Sequence, residues 1–308
     1  MSSADLGPLS RPDAPALETL PTAGGNRVWA GLRRNPPALV GLVILAVLVV
    51  VAVLGPLLAP YGVNAVDVDH MLEGPSGSHL FGTDELGRDV LSRVVLAARV
   101  SLLVAVVSVS LALVVGVSIG LVAGFYRGWV DNVFMRCMDV LFAFPVLLLA
   151  VAIVAVLGRG LVTAMVAIGV VYAPIFARVT RGSVLSVREQ VFVRAAISIG
   201  ASDSRIMRRH VLPNIAAPLI VQTSLSLAFA ILSEAALSFL GLGIQPPQPS
   251  WGRMLYDGRG FVEDAWWLGF FPGAAIFLTV LAFNVVGDGL RDVLDPRQLT
   301  RDEARRTT

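Results

Sequence analysis

The chain has 308 residues, 56% hydrophobic and 15% charged, with a mean hydropathy of +0.76. A soluble domain carries about a quarter charged residues, so this composition excludes a soluble globular protein and equally a disordered one. The formal net charge of +2 lends no support to nucleic-acid binding. All 24 basic residues are Arg, which excludes a complete GxxxxGK[ST] phosphate loop and any Schiff-base lysine. The lone Cys137 excludes an internal disulfide and a cysteine zinc cluster. His70, His79 and His210 are too scattered to suggest a metal site, so no resident metal or cofactor is expected.

Residues 1–26 are rich in Pro, Ala, Ser and Gly and read as a flexible tail. They are too acidic, and too long before the first apolar run, for an ordinary secretion signal. A membrane domain follows over 27–297, and 298–308 form a second tail. Arg27, Arg33 and Arg34 precede a charge-free run from Ala38 to Ala59, long enough to cross about 30 Å of hydrocarbon as a helix. Five further runs predict spans at about 100–125, 138–157, 161–180, 215–243 and 265–287. Backbone groups in lipid need internal partners, and period-2 alternation is absent, so these runs predict helices rather than a barrel. The fold class is therefore an all-α polytopic membrane protein with six transmembrane helices.

Gly116, Gly120 and Gly124 share one face of the second span and let a neighbouring backbone approach, within the subunit or in a partner. Gly269 and Gly273 repeat that spacing in the last span. Pro145, Pro174, Pro218 and Pro272 sit in or near spans and can kink them. Two larger loops, 61–99 and 244–264, lie on one side of the bundle; Val90, Val94, Leu96 and Val100 suggest an interfacial helix feeding the second span. Trp251, Trp266 and Trp267 fit an interfacial aromatic belt.

Arginine placement orients the spans. With the N-terminus inside, Arg11, Arg27, Arg33, Arg34, Arg127, Arg136, Arg178, Arg181, Arg188, Arg194, Arg205, Arg208, Arg209, Arg291, Arg297, Arg301, Arg305 and Arg306 are cytoplasmic. Only Arg88, Arg93, Arg99, Arg159, Arg253 and Arg259 are outside, a threefold bias that places both termini in the cytoplasm.

The basic inner segment at 181–214 is patterned rather than random. Val193, Ala196 and Ile197 fall at helical spacing. Gly200 suits a left-handed cap, Ser202 or Asp203 can open a second helix, and Ile206, Met207, His210 and Val211 form its apolar stripe. Pro213 disfavours continuation. Two short helices on a glycine joint fit either a cleft in a cytoplasmic partner or an anionic lipid surface.

This stretch resembles the "EAA" motif of bacterial ABC-importer permeases: Arg194-Ala195-Ala196, then Gly200, then Leu212-Pro213. Arg194 stands where the motif has Glu and His210 where it has Ile, while Arg209-His210-Val211-Leu212-Pro213-Asn214 is similar to the form found in the peptide branch. Further segments resemble the second, C-type, permease of the dipeptide/oligopeptide/nickel branch. These are Phe81-Gly82-Thr83-Asp84 with Gly87-Arg88-Asp89 and Ser92-Arg93, residues 139–145, residues 234–243, Pro249-Ser250-Trp251-Gly252, and residues 287–297. The resemblance implies a type I importer permease fold in a bacterial inner membrane. It implies a homologous permease partner, two cytoplasmic ABC ATPase subunits holding ATP and Mg, and an extracytoplasmic substrate-binding protein docking on the outer loops. Arg194, Ala195, Ala196, Gly200, Arg208, His210, Leu212 and Pro213 would then couple to the ATPase.

Glu234 interrupts an apolar run, and an ionised side chain at mid-membrane costs roughly 3 kcal/mol. It serves either as a gate or path lining, or as a hydrogen bond between helices. An ion-gradient-driven secondary transporter predicts several intramembrane ionisable residues and an internal repeat, of which Glu234 is the single candidate. An intramembrane hydrolase needs a catalytic pair in the spans, whereas Ser108, Ser110 and Ser118 lack an evident base.

Overall fold

The structure, a computed structural model, describes residues 29, 31–33 and 35–294. The tails expected at 1–26 and 298–308 lie outside the described residues.

Helix α1 spans Pro36–Leu58. Its two leading prolines occupy the turn in which no N–H is required, and the Asn35 side chain accepts the Ala38 N–H at 3.3 Å. Only Ala38, Gly41, Ala52 and Gly55 are buried along it, with Leu48 and Val51 half-buried against the core, and most of its valines are exposed.

Helix α2 runs unbroken over Val90–Tyr126. The interfacial helix expected before residue 100 and the second span are thus one rod of about 55 Å. Asp89 caps it by accepting from the Ser92 N–H and hydroxyl, both at 2.7 Å. Helices α3 (Gly128–Phe142) and α4 (Val146–Leu157) meet at a 90° bend. The span expected at 138–157 thus takes in the end of α3, the kink anticipated at Pro145 and all of α4. Pro145 has no N–H to donate and crowds the carbonyl one turn back, so α3 closes at Ala143 (N–H to Asp139 O, 2.9 Å) and α4 restarts on the Pro145 carbonyl.

Helix α5 covers Leu161–Arg188, eight residues beyond the span expected there. Two short helices follow, α6 (Val191–Ser198) and α7 (Asp203–Ile206). A π turn over Met207–Val211 and a 3-10 turn over Leu212–Ile215 then lead into α8, Ala216–Phe239. Helices α9 (Trp251–Gly258) and α10 (Trp267–Leu294) complete the described chain. Among the described residues five helices are long and apolar enough to cross a membrane. The bent α3–α4 pair supplies the sixth crossing. Arg127 and Glu189 are paired, so α2 and α5 end side by side; α5 is about 42 Å long, and the intervening chain must travel to its far end.

The core is the α2–α5 seam. A Cβ on Gly116 would lie 2.5 Å from Phe176 Cβ, on Gly120 2.7 Å from Thr180 Cβ, and on Gly124 2.9 Å from Val184 Cβ. These three glycines therefore pack within the subunit. Gly269 and Gly273 face open space instead, so the packing expected of them is not found inside this chain.

The segments joining α1 to α2 and α8 to α10 fold onto one another at one end of the bundle, the loop end. Trp267 Nε1 donates to Thr83 O at 3.0 Å and Trp251 Nε1 to Val94 O at 3.0 Å. Both indoles are buried and only Trp266 is exposed, which corrects the aromatic-belt expectation for two of these three tryptophans. The loop arginines are neutralised locally. Arg88 pairs with Asp84 at 2.6 Å and Glu85 at 3.0 Å, and Arg253 with Asp257 at 2.8 Å. Buried Arg93 sits between Asp84 and Asp257, at 3.6 and 4.0 Å. Burial, then the Asp84 charge, raises the Glu85 carboxyl above its usual value.

Candidate functional site

At the opposite, basic end, residues 189–215 form a jointed elbow. Helix α6 stops in a Schellman motif: the Gly200 N–H bonds Ile197 O at 2.9 Å and the Ala201 N–H bonds Ala196 O at 3.1 Å. Gly200 adopts φ +74°, which an L side chain tolerates poorly. Ser202 begins the second arm through its backbone, with its carbonyl accepting from Ile206 N at 3.0 Å.

The inner face of the elbow is fastened to the bundle. Val193, Ala196, Ile206, Val211 and Ile215 are buried and belong to the hydrophobic core. Ile197, expected on the same face as Val193 and Ala196, is exposed instead. The stripe on the second arm is also revised. Its fully buried members are Ile206, Val211 and Ile215, and the five-residue step between the first two is the repeat of the π turn. That turn also explains why Pro213 does not end the helix. A ring at 213 removes a donor and crowds a carbonyl in an α-helix, and the locally widened turn followed by a 3-10 turn absorbs it. The Asn214 amide donates to the His210 carbonyl at 2.6 Å, satisfying a group the altered turn leaves over.

The outer face is apolar with a basic border. Val191 and Ile199 are 77% and 84% exposed, the two largest apolar exposures of the elbow. Arg194, Ala195, Arg205, Arg208 and Arg209 are exposed around them, as are Leu212 and Pro213. His210 is half-buried, with its ring centroid 6.4 Å from that of Phe192, and so links the two arms. Seven of the eight residues expected to couple are exposed or half-buried, Leu212 on the groove between α2 and α8, whereas Ala196 faces inward. Arg194 donates to Glu189, which also accepts from Arg127 at 2.5 Å. Glu189 was not among the residues singled out in the sequence, because its partners lie in two different elements.

Glu234 is 1% exposed. It accepts from the Ser238 hydroxyl at 2.8 Å and the Ser101 hydroxyl at 3.2 Å. Ser101 in turn accepts from the Trp251 N–H at 3.4 Å and Ser238 from the Ile244 N–H at 3.2 Å. The carboxyl therefore ties α2, α8 and the start of α9 together through hydrogen bonds. A groove of about 640 Å³ opens between α2 and α8, with Val114, Val117, Ser118, Leu212, Leu219 and Thr223 in its walls.

A bundle of helices long and apolar enough to cross a membrane, with an elbow seated on its core at one end, defines a polytopic membrane protein. The family described as binding-protein-dependent transport system inner membrane component matches residues 116–300. The family described as the N-terminal TM domain of oligopeptide transport permease C matches residues 25–75. The chain is 46% identical over 288 residues to the dipeptide transport system permease protein DppC of Alkalihalophilus pseudofirmus, covering 93% of this chain and 95% of that one. It is 48% identical over 270 residues to the glutathione transport system permease protein GsiD of Shigella flexneri, covering 87% and 89% respectively. One chain of the MetNI methionine ABC transporter, solved in inward facing conformations, shares the fold with a TM-score of 0.55 at 19% identity; the match covers 65% of this chain and 96% of that one. The chain belongs to the family of binding-protein-dependent transport system inner membrane components. That membership decides against the ion-gradient-driven alternative.

Proposed function

We propose that this chain is the C-type permease subunit of an ATP-driven ABC importer for small peptides. It forms one half of a translocation path whose other half is a homologous permease. The names of its relatives, a dipeptide and a glutathione permease, support the cargo class. The basic end faces the cytoplasm of a bacterial cell and the loop end faces the binding protein outside.

The observation that carries the reading is the elbow. Its inner face is locked into the core, while its outer face presents Val191, Ile199 and exposed arginines, with Val191 and Ile199 uncovered among the described residues. That surface suits a cleft in a cytoplasmic ATPase subunit by the helix-in-groove mode. Two such subunits hold ATP and Mg and close on nucleotide binding. Because the π turn and the 3-10 turn after it run without a gap from the elbow's second arm into α8, a pull on the elbow acts along a crossing helix rather than on a slack loop.

Gly200 offers a test with room for a side chain, since no described residue lies within 4 Å of its added Cβ, and Gly200→Asn, a residue that tolerates φ +74°, controls for the backbone strain. Gly200→Trp should insert and assemble with the second permease yet lose transport-coupled ATP hydrolysis. A bulky residue at Ala196 should do the same by unseating the elbow from its core side. Undiminished coupling in Gly200→Trp would refute the assignment.

A further inference from the structure

Exposed ion pairs contribute little to stability, so the position of Glu189 needs another explanation. It is the sole carboxylate between Arg178 and Ser202. One oxygen takes the Arg127 guanidinium at 2.5 Å and the other takes Arg194. Arg127 forms the corner between α2 and α3 and holds φ +58°, unusual for a residue with a side chain. The first turn of α3 is itself clamped, since Asp131 receives Arg181 of α5 in a bidentate pair at 2.5 and 2.6 Å. Two ion clusters therefore flank the corner: Arg194–Glu189–Arg127 ties the elbow helix to the α2–α3 corner, and Asp131–Arg181 ties the first turn of α3, four residues on, to α5. Beyond that corner lies the 90° bend between α3 and α4, where the crossing is already broken.

We propose that Glu189 is a positioning residue that locks the elbow helix to the α2–α3 corner, so that displacement of the elbow reaches the broken α3–α4 crossing as well as α8. The proposal rests on the docking reading above and adds a second route of transmission to it. Arg194, which reverses the charge usual at its motif position, acts here as the elbow's half of the lock. Without Glu189 the two arginines repel each other across the short turn at Gln190, and elbow and corner move independently.

The test uses the assembled complex of both permeases and both ATPases in proteoliposomes. Spin labels at Ser198, exposed at the end of α6, and at Trp129 report the distance from elbow to corner. In the wild type one narrow distance distribution should persist with and without ATP. Glu189→Gln should broaden it and reduce binding-protein-stimulated ATP hydrolysis about fivefold, the low end of ordinary coupling energies. The triple exchange Arg127→Glu, Glu189→Arg and Arg194→Glu rebuilds that ion cluster with opposite signs and should restore both readouts. An unchanged distribution in Glu189→Gln, or a triple exchange that restores neither readout, overturns the lock. Failure of the ATPase subunits to bind the wild-type permease is a separate result, and overturns the docking reading itself.

Discussion

The α2–α5 seam makes a graded prediction. Two carbon atoms pack best at about 3.5–4.0 Å, and a Cβ added at Gly116, Gly120 or Gly124 would stand 2.5, 2.7 or 2.9 Å from the nearest side-chain carbon across the seam. The shortfalls are about 1.0, 0.8 and 0.6 Å, taken against the lower bound of that range. At Gly116 and Gly120 the carbonyls of Ala173 and Ala177 also stand in the way, and backbone cannot rotate aside. The helices must separate locally, and a gap of this size forfeits a quarter to a half of each lost contact. Overpacking of this kind costs about 1–3 kcal/mol. Gly116→Ala should sit near the top of that range, Gly120→Ala slightly below it, and Gly124→Ala near the bottom, because its shortfall is the smallest and the nearest carbonyl, that of Arg181, lies 3.1 Å away. The double variant at 116 and 120 should cost less than the sum, since one separation relieves both clashes. The assay is unfolding of the purified subunit in mixed micelles as the fraction of denaturing detergent rises, followed by helical content. Gly269→Ala and Gly273→Ala are the controls, with open space around both. Equal stability of Gly116→Ala and Gly269→Ala would refute the seam argument.

Three further outcomes follow from the same geometry. Glu234→Ala strands the Ser101 and Ser238 hydroxyls and should destabilise the subunit by about 1–3 kcal/mol in that assay, whereas Glu234→Gln, which keeps an acceptor, should lose less than half as much. Arg93→Ala leaves Asp84 and Asp257 facing each other in a buried setting and should cost about 3 kcal/mol, the low end for a broken buried pair because Arg88 and Arg253 remain. The Glu189 carboxyl is held below its ordinary value of 4.5, first by the Arg194 hydrogen bond and then by that of Arg127. A lowered folded-state value means that the contribution is complete above 4.5 and is lost as pH falls through the lowered value. A spin label at Ile199 should therefore stay immobile at neutral and mildly acid pH and loosen only below 4.5. Loosening that begins near neutrality would contradict the pairing.

The elbow shows how far local chemistry carries. Its glycine joint and the start of its second arm were legible because a left-handed cap and a helix opening depend on a few adjacent residues. Its second arm was misjudged at Pro213, because a π turn is chosen by what packs around it and leaves no strong local signature. The inward and outward sides of α6 were separated only in part. Spacing places Val193, Ala196 and Ile197 on one broad stripe, but the bundle has room for two of them. Glu189 escaped notice because its meaning depends on Arg127, 62 positions away in the chain.

By itself the sequence determined that this is a helical membrane protein, roughly where each crossing lies, which end is basic and where the elbow bends. Each of these follows from runs of neighbouring side chains that must suit lipid or water while the backbone bonds to itself. Tertiary structure decided which glycines touch a helix and which face open space, that Glu234 is a tie, that two tryptophans turn inward, and that the third crossing breaks at a right angle. Those outcomes depend on pairs such as Trp267 with Thr83 and Ser101 with Glu234, 184 and 133 residues apart. No periodicity along the chain encodes which distant surface a side chain will meet.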